Sequence, residues 1–311
     1  DIVSFLIIQI CFSILLIFGL RIFVWMKINM LKLKAMWSYF LLQDVRKFSL
    51  GVAGITIASI ILTQADKFIL VNFISLKDFG YYTLAFSIAS IPSKIVGTIA
   101  TVFYPKLVKQ FSINNLKELS RVYHEGCQFI SILIIPISII VIFFTPEILN
   151  LWFLDIHLVH ELVFLVRIFI IGFLFNGFMT MPYYLQLSIQ WTKLSFYKNM
   201  VAFVLLVPLV YWLAIHYGIY GAAWFWLILN LLYIFIEIPI MHKVILPLEM
   251  KVWYWEDILL PIILVLSLDI IFYKLLNYSI ISNIIIIASI CLLVLFQIYF
   301  LNAILRHKPI N

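Results

Sequence analysis

The sequence predicts an all-α, polytopic transmembrane helical bundle of about nine helices. Three observations carry that prediction. The 311 residues are 65% hydrophobic and only 11% charged, with a mean hydropathy of +1.15, where a soluble domain carries roughly a quarter charged residues. The apolar residues come in runs of about 18 to 27, the length that crosses a hydrocarbon layer. The basic residues gather in alternate breaks between those runs. Helices follow because lipid satisfies no open backbone group.

The elements can be justified in order. Residues 2–25 form one span closed by Arg21 and Trp25. Residues 26–47 change character: Lys27, Lys32, Lys34, Arg46 and Lys47 alternate with Met26, Leu31, Leu33, Met36, Trp37 and Phe40. This is a basic, partly amphipathic connector, of the kind that lies on an anionic leaflet. It serves either as a topogenic loop or as a hinge. Phe48–Ile74 spans, Ser75–Asp78 turns, and Tyr81–Pro105 spans again. Residues 106–126 read as a polar loop, and Cys127–Phe144 as a span with Pro136 inside. Residues 145–158 read as a short loop. Val159–Pro182, Asn199–Tyr217 and Ala222–Ile240 are spans, the last two joined by a tight turn at Gly218–Gly221. After a loop from His242 to Asp257, Ile258–Leu275 and Ile280–Leu301 make a final pair. These runs divide the chain into 1–25 (one span), 26–47 (the connector), 48–241 (six spans) and 242–311 (the helix pair and tail).

Charge asymmetry orients the chain. Lys27, Lys32, Lys34, Arg46, Lys47, Lys106, Lys109, Lys117, Arg121, Lys193, Lys198, Lys243, Lys251, Arg306 and Lys308 fall on one side, and only Lys77 and Lys274 on the other. The first side is expected to be cytoplasmic, with Asp1 outside and Asn311 inside. The net charge of +7 is therefore topogenic and needs no nucleic acid to explain it. Cys11, Cys127 and Cys291 lie in apolar runs without a C-x-x-C pair, as small hydrophobes do. His124, His157 and His216 match no metal spacing, and no hydrolase or phosphate-loop motif occurs. No catalytic residue, metal or other cofactor is expected.

The candidate site residues are the polar groups at depth. An ionised side chain in mid-membrane costs roughly 2.5–3.5 kcal/mol on insertion scales, and such residues usually line a path or a pocket. At a rise of 1.5 Å per residue, Asp66 and Arg167 lie about 12 Å below the outer ends of their spans, and Lys94 about 20 Å below. Together they make a pair, a relay or an anion site. Lys67, beside Asp66, either joins them or snorkels outward. Cations at depth outnumber carboxylates on this count. Tyr183, Tyr184, Gln186 and Gln190 have the chemistry to stack on and hydrogen-bond sugar rings. An interfacial aromatic belt explains them too.

Several of these stretches resemble a known family. Gln64-Ala65-Asp66-Lys67-Phe68-Ile69-Leu70 followed by Phe79-Gly80-Tyr81-Tyr82-Thr83-Leu84-Ala85 is similar to the start of the second lobe of bacterial polysaccharide (O-antigen) flippases, of the multidrug/oligosaccharidyl-lipid/polysaccharide exporter superfamily. Phe103-Tyr104-Pro105-Lys106-Leu107, Leu185-Gln186-Leu187-Ser188-Ile189-Gln190-Trp191-Thr192-Lys193-Leu194, Gly218-Ile219-Tyr220-Gly221-Ala222-Ala223 and Met241-His242-Lys243-Val244-Ile245-Leu246-Pro247 extend the likeness over roughly residues 48–265. Gln190 departs from it, standing where the family often has Gly.

The resemblance implies two six-helix lobes around a central cavity, commonly fourteen helices in all. Five helices before Asp1, and so most of a first lobe, are then expected outside this sequence. It implies a flippase of the bacterial inner membrane that moves a polyprenyl-diphosphate-linked oligosaccharide from inner to outer leaflet for surface polysaccharide assembly. Alternating access, cations meeting the diphosphate, and a proton or sodium coupling ion belong to the same expectation. The implied partners are the lipid-linked substrate, membrane lipids and the missing N-terminal lobe. A drug or cation exporter of the same superfamily is the alternative, and it calls for an acidic cavity. A membrane glycan polymerase or acyltransferase ranks below both, because the predicted outer loops are too short to house an active site.

Overall fold

The structure is a computed structural model that describes residues 2–30 and 38–276. The described chain is helical almost throughout, with no strand among the described residues, and the protein is a helical, multi-pass membrane bundle. Six helical stretches among the described residues are long and apolar enough to cross a membrane: Leu6–Lys27, Phe48–Leu70, Leu76–Ser112, Leu116–Phe143, Ile156–Ser188 and Val207–Ile245. The predicted span 280–301, the C-terminal tail and residues 31–37 of the connector lie outside the described residues.

The chain divides into two compact units, Asp1–Lys47 and Phe48–Asn311. The first holds α1 (Ile2–Met30), apolar on every face of the helix, and the opening turns of α2 (Tyr39–Leu70). The second holds the rest of α2, then α3 (Leu76–Ala89), α4 (Ile91–Ser112), α5 (Leu116–Phe143), α6 (Thr145–Trp152), α7 (Ile156–Phe178), α8 (Thr180–Ser188) and α9 (Lys193–Ile245). After a turn at 246–249, a short α10 (Met250–Val252), a π-helical segment at Trp253–Leu259 and α11 (Leu260–Leu276) run on from one another without a break.

The loops are tighter than the sequence alone predicts. Ser75 caps α3 by accepting a hydrogen bond from the Asp78 amide at 3.1 Å, so the expected turn Ser75–Asp78 is already the helix start. The polar stretch 106–126 is mostly helix rather than loop. α4 runs to Ser112, and α5 begins at Leu116 with Asn115 as its cap. A turn closes the gap, with Asn114 at φ 54°, a left-handed conformation that Asn tolerates. The stretch read as the loop 145–158 contains α6. The predicted Tyr81–Pro105 span is interrupted at Ser90, with Pro92 in the first turn of α4, where a missing N–H is harmless.

At Gly218, φ 57° and ψ −137° break α9 into two arms, as the predicted tight turn requires. A Cβ at the neighbouring Gly221 would collide with the Leu213 carbonyl. Only glycines fit this corner.

Two apolar cores result. One joins α2, α3, α6, α7 and both arms of α9 around Tyr82, Phe169 and Phe225. The other joins α4, α5, α8, the end of α9, the π-helical segment and α11 around Tyr123, Ile135 and Trp253. Beside the second core is a buried polar cluster. His124 on α5 meets Asp257 on the π-helical segment at 2.6 Å and Glu249 at 3.1 Å, and Gln128 donates to Asp257 at 3.0 Å. The cluster ties the helix running to Leu276 onto α5.

Candidate functional site

Within the second unit a cavity of about 360 Å³ opens between α2, α7, α8 and α9. Its walls carry Thr56, Ser59 and Thr63 from α2, Asn176 from α7, Tyr183 from α8, and Lys198, Asn199, Asn230, Tyr233 and Glu237 from α9. Specific ligand sites are usually a few hundred Å³ or larger, with a small number of convergent polar groups in an otherwise apolar wall.

The turn between α8 and α9 sets one side of this site. The Trp191 amide donates to the Gln186 carbonyl at 2.9 Å and the Gln190 amide to the Leu187 carbonyl at 3.0 Å. This is the double bond of a Schellman motif, with Gln190 at φ 60°. That left-handed position is where Gly costs least. The turn brings α8 back beside the start of α9, so that the Ser195 hydroxyl donates to the Gln186 side-chain oxygen at 2.9 Å.

Glu237, 1% exposed, is the hub of the polar wall. Its Oε1 accepts from Gln186 Nε2 at 2.9 Å, and its Oε2 from Lys198 Nζ at 2.7 Å. Lys198 also sits 4.0 Å over the Tyr233 ring, a cation–π contact. The Tyr233 hydroxyl donates to Asn199 Oδ1 at 3.2 Å, and Asn199 Nδ2 donates to Ser59 Oγ at 2.9 Å. Across the cavity Asn176 Nδ2 donates to Asn230 Oδ1 at 2.9 Å. One chain of side chains thus links α2, α8 and both arms of α9.

The residues singled out from sequence are distributed more widely. Gln186 belongs to this network, although its amide stands behind the wall. Tyr184 packs against Tyr104 with ring centroids 5.6 Å apart, and it is Tyr183 that lines the cavity. Asp66 is buried and accepts a hydrogen bond from Tyr82. Lys67 turns inward instead of snorkelling: its ammonium lies 3.8 Å from the Phe86 ring centroid, 3.2 Å from the Thr63 carbonyl and 3.7 Å from Asp66. Arg167 donates from Nε to the Ile142 carbonyl at 2.9 Å and lies 3.3 Å from the Thr145 hydroxyl. It therefore caps the end of α5. Lys94 is exposed on α4. Among the described residues neither Lys94 nor Arg167 forms an ion pair with Asp66.

The charge count also reverses. Asp66, Glu237, Asp257 and Asp269 are all buried, while no Lys or Arg among the described residues is. The sequence count weighted cations by depth along a span, but of the three deep cations Lys94 is exposed and Lys67 and Arg167 are only partly buried, because a long side chain can carry its charge away from its backbone position.

Glu237 was missed although it interrupts the apolar run Ala222–Ile240, the same signal that marks Asp66. The amides of Asn176, Asn199 and Asn230 give a much weaker signal, because an uncharged amide barely interrupts an apolar run.

The fold and site define the class: a multi-spanning helical membrane protein with a polar-lined cavity. Residues 3–158, half of the chain, match the family model described as polysaccharide biosynthesis protein, and the chain belongs to that family. Over 170 residues it is 23% identical to a Shigella flexneri protein named "Putative O-antigen transporter", a stretch that covers 55% of this chain and 40% of that protein. The chain thus spans about two fifths of the length of the curated relative it matches. The flippase resemblance read from the sequence agrees with both comparisons.

Proposed function

We propose that the chain is part of a flippase that moves a polyprenyl-diphosphate-linked oligosaccharide from the inner to the outer leaflet of the bacterial inner membrane. The observation that carries this reading is the cavity: a chain of the polysaccharide-biosynthesis family keeps amides, hydroxyls and one ion pair around a 360 Å³ space inside a membrane bundle. Transport by alternating access, not bond-making chemistry, fits walls that hold paired polar groups. In this reading residues 48–241 form the second six-helix lobe, residues 242–311 add a helix pair, and a first lobe completes the cavity. The carrier's diphosphate meets Lys94, an exposed cation on a spanning helix without an ion-pair partner among the described residues. Asp66 or Glu237 takes the coupling ion or proton.

The test is surface glycan assembly in a flippase-deficient cell carrying the natural full-length protein. Loss with Lys94→Ala and partial activity with Lys94→Arg, at equal membrane levels, are expected. Full activity of Lys94→Ala would remove Lys94 from the path. The buried carboxylates favour a second reading, a cation exporter. Efflux of a cationic dye without any effect on surface glycan would establish that reading instead.

Orientation is testable on the same protein. Asn114 and Leu154 lie in the turn between α4 and α5 and in the segment before α7, and both are exposed. Cys at Asn114 should react only from the cytoplasm and Cys at Leu154 only from outside. Labelling of both by an impermeant reagent on intact cells would contradict the proposed topology.

A further inference from the structure

We propose that the α2/α7/α8/α9 cavity is a subsite for one neutral pyranose ring of the transported glycan, held by the Tyr183 ring and hydroxyl and by the Asn176–Asn230 amide pair. The inference rests on the flippase reading for the source of the sugar, but its geometry stands on the cavity itself.

Volume comes first. About 360 Å³ lies at the low end of small-molecule pockets and leaves room for a sugar ring. It is far too small for an isoprenoid carrier.

The chemistry of the walls comes second. A sugar presents hydroxyls around its rim and apolar C–H groups on its faces, so it calls for planar amides beside an aromatic ring. Asn176 spends one amide hydrogen on Asn230. That leaves its carbonyl oxygen and second amide hydrogen as acceptor and donor. Asn230 spends its own on the Trp226 carbonyl at 2.8 Å. The Thr56 and Thr63 hydroxyls donate to carbonyls of their own helix, at 2.9 and 3.2 Å, so they present acceptor lone pairs. Tyr183 lies on the wall half-buried, with its ring edge-on to Tyr184 at 5.8 Å. No hydrogen bond to its hydroxyl is found among the described residues.

Charge comes third. Among the described residues the wall's acidic and basic side chains are Lys198 and Glu237, which close on each other at 2.7 Å. A closed pair leaves no surplus charge to draw a phosphate or a uronate out of water. The site therefore discriminates against the diphosphate end of the substrate and accepts an uncharged ring.

Saturation-transfer NMR on the natural full-length protein in lipid nanodiscs tests this, with glucose, galactose, N-acetylglucosamine and glucuronate as probes. At least one neutral sugar should receive saturation from the wild-type protein. Loss of the ring in Tyr183→Leu, or of the amide in Asn176→Ala, should weaken that sugar about tenfold, the loss expected for a well-formed polar contact. Tyr104→Leu, a change of the same kind off the cavity, should leave it unaltered. Thermal melting of each variant identifies any that has merely unfolded, and Tyr183→Phe then serves as the mild replacement that keeps the ring. No transfer to any neutral sugar, equal transfer in all variants, or a preference for glucuronate would overturn the assignment. A wild-type protein that restores surface glycan without binding a sugar here keeps the flippase reading and loses this one.

Discussion

Asp66 and Glu237 are both carboxylates sealed inside membrane-spanning helices, and the fold treats them differently. Asp66 is held by one hydroxyl, that of Tyr82 on the next helix, and by a lysine from its own helix at 3.7 Å. That distance is too long for a hydrogen bond, and adjacent residues on a helix do not face each other. It does not line the α2/α7/α8/α9 cavity. The aromatic side chains around it, Tyr82, Phe86 and Phe169, stack edge to face at 5.1 to 5.2 Å. Glu237 has both oxygens bonded, by Gln186 from α8 and by Lys198 from the other arm of its own helix, and it borders open space. The contrast teaches that depth alone does not define a site. A buried carboxylate with one nearby donor can be a local fastening, whereas one that ties three helix segments together around a void shapes a binding wall.

The largest effect expected from this contrast is at Glu237. Glu237→Ala strands the Lys198 ammonium and the Gln186 amide, and removing one partner of a buried pair typically costs about 3–5 kcal/mol. Because Lys198 keeps 17% of its side chain exposed, the lower end of that range is expected. Melting of the purified protein should fall accordingly, and Glu237→Leu combined with Lys198→Met should recover most of the loss, since no charge is left unpaired. If the double variant melts no higher than Glu237→Ala, the pair is not what fixes the wall.

Asp66→Asn should be milder, about 1–3 kcal/mol, because the amide oxygen still accepts from Tyr82. Tyr82→Phe should match it, as it leaves the same carboxylate without its donor. A drop in melting as large as that of Glu237→Ala would erase the distinction between the two regions. Normal glycan transport with an unchanged pH response in Asp66→Asn would assign Asp66 to fastening alone.

Arg167→Leu tests whether the third deep polar residue belongs to either region. It should cost about 1.5–3 kcal/mol by freeing the Ile142 carbonyl and the Thr145 hydroxyl, with transport falling only in proportion to the folded protein. A transport loss much larger than the loss of folded protein would place Arg167 in the path after all.

The smallest effect carries the opposite sign. Gln190→Gly relieves a left-handed residue that costs roughly 1–2 kcal/mol and raises unfolded-chain entropy by somewhat less, for a net gain of about 0.5–1 kcal/mol. The turn it tightens positions Gln186 against Glu237, so the melting temperature should rise a few degrees. A fall would mean that the Gln190 side chain contributes more than its backbone strain costs.

The sequence by itself determined the class and the helices. Apolar runs of spanning length leave the backbone no alternative to helix in lipid, and Gly218 marks a corner because its backbone conformation suits few other residues, whereas the cap at Ser75 and the turn at Asn114 emerged only from the structure. The family was also legible, through motifs that are local in the chain. It was a charge in an apolar run that marked Asp66, and Glu237 carries the same mark. What only the tertiary structure decided was which polar groups meet. Asn199 finds Ser59 across 140 positions and Gln186 finds Glu237 across 51. Tyr183 rather than Tyr184 reaches the cavity because successive residues on a helix point about 100° apart, and the packing of α8 against α9 chooses between them. Whether a lysine or arginine at depth stays in the interior, reaches the surface or caps a helix end depends on what stands within reach of its long side chain. Phe86 holds Lys67 and the end of α5 holds Arg167, and neither neighbour can be read from the residues beside them in the chain.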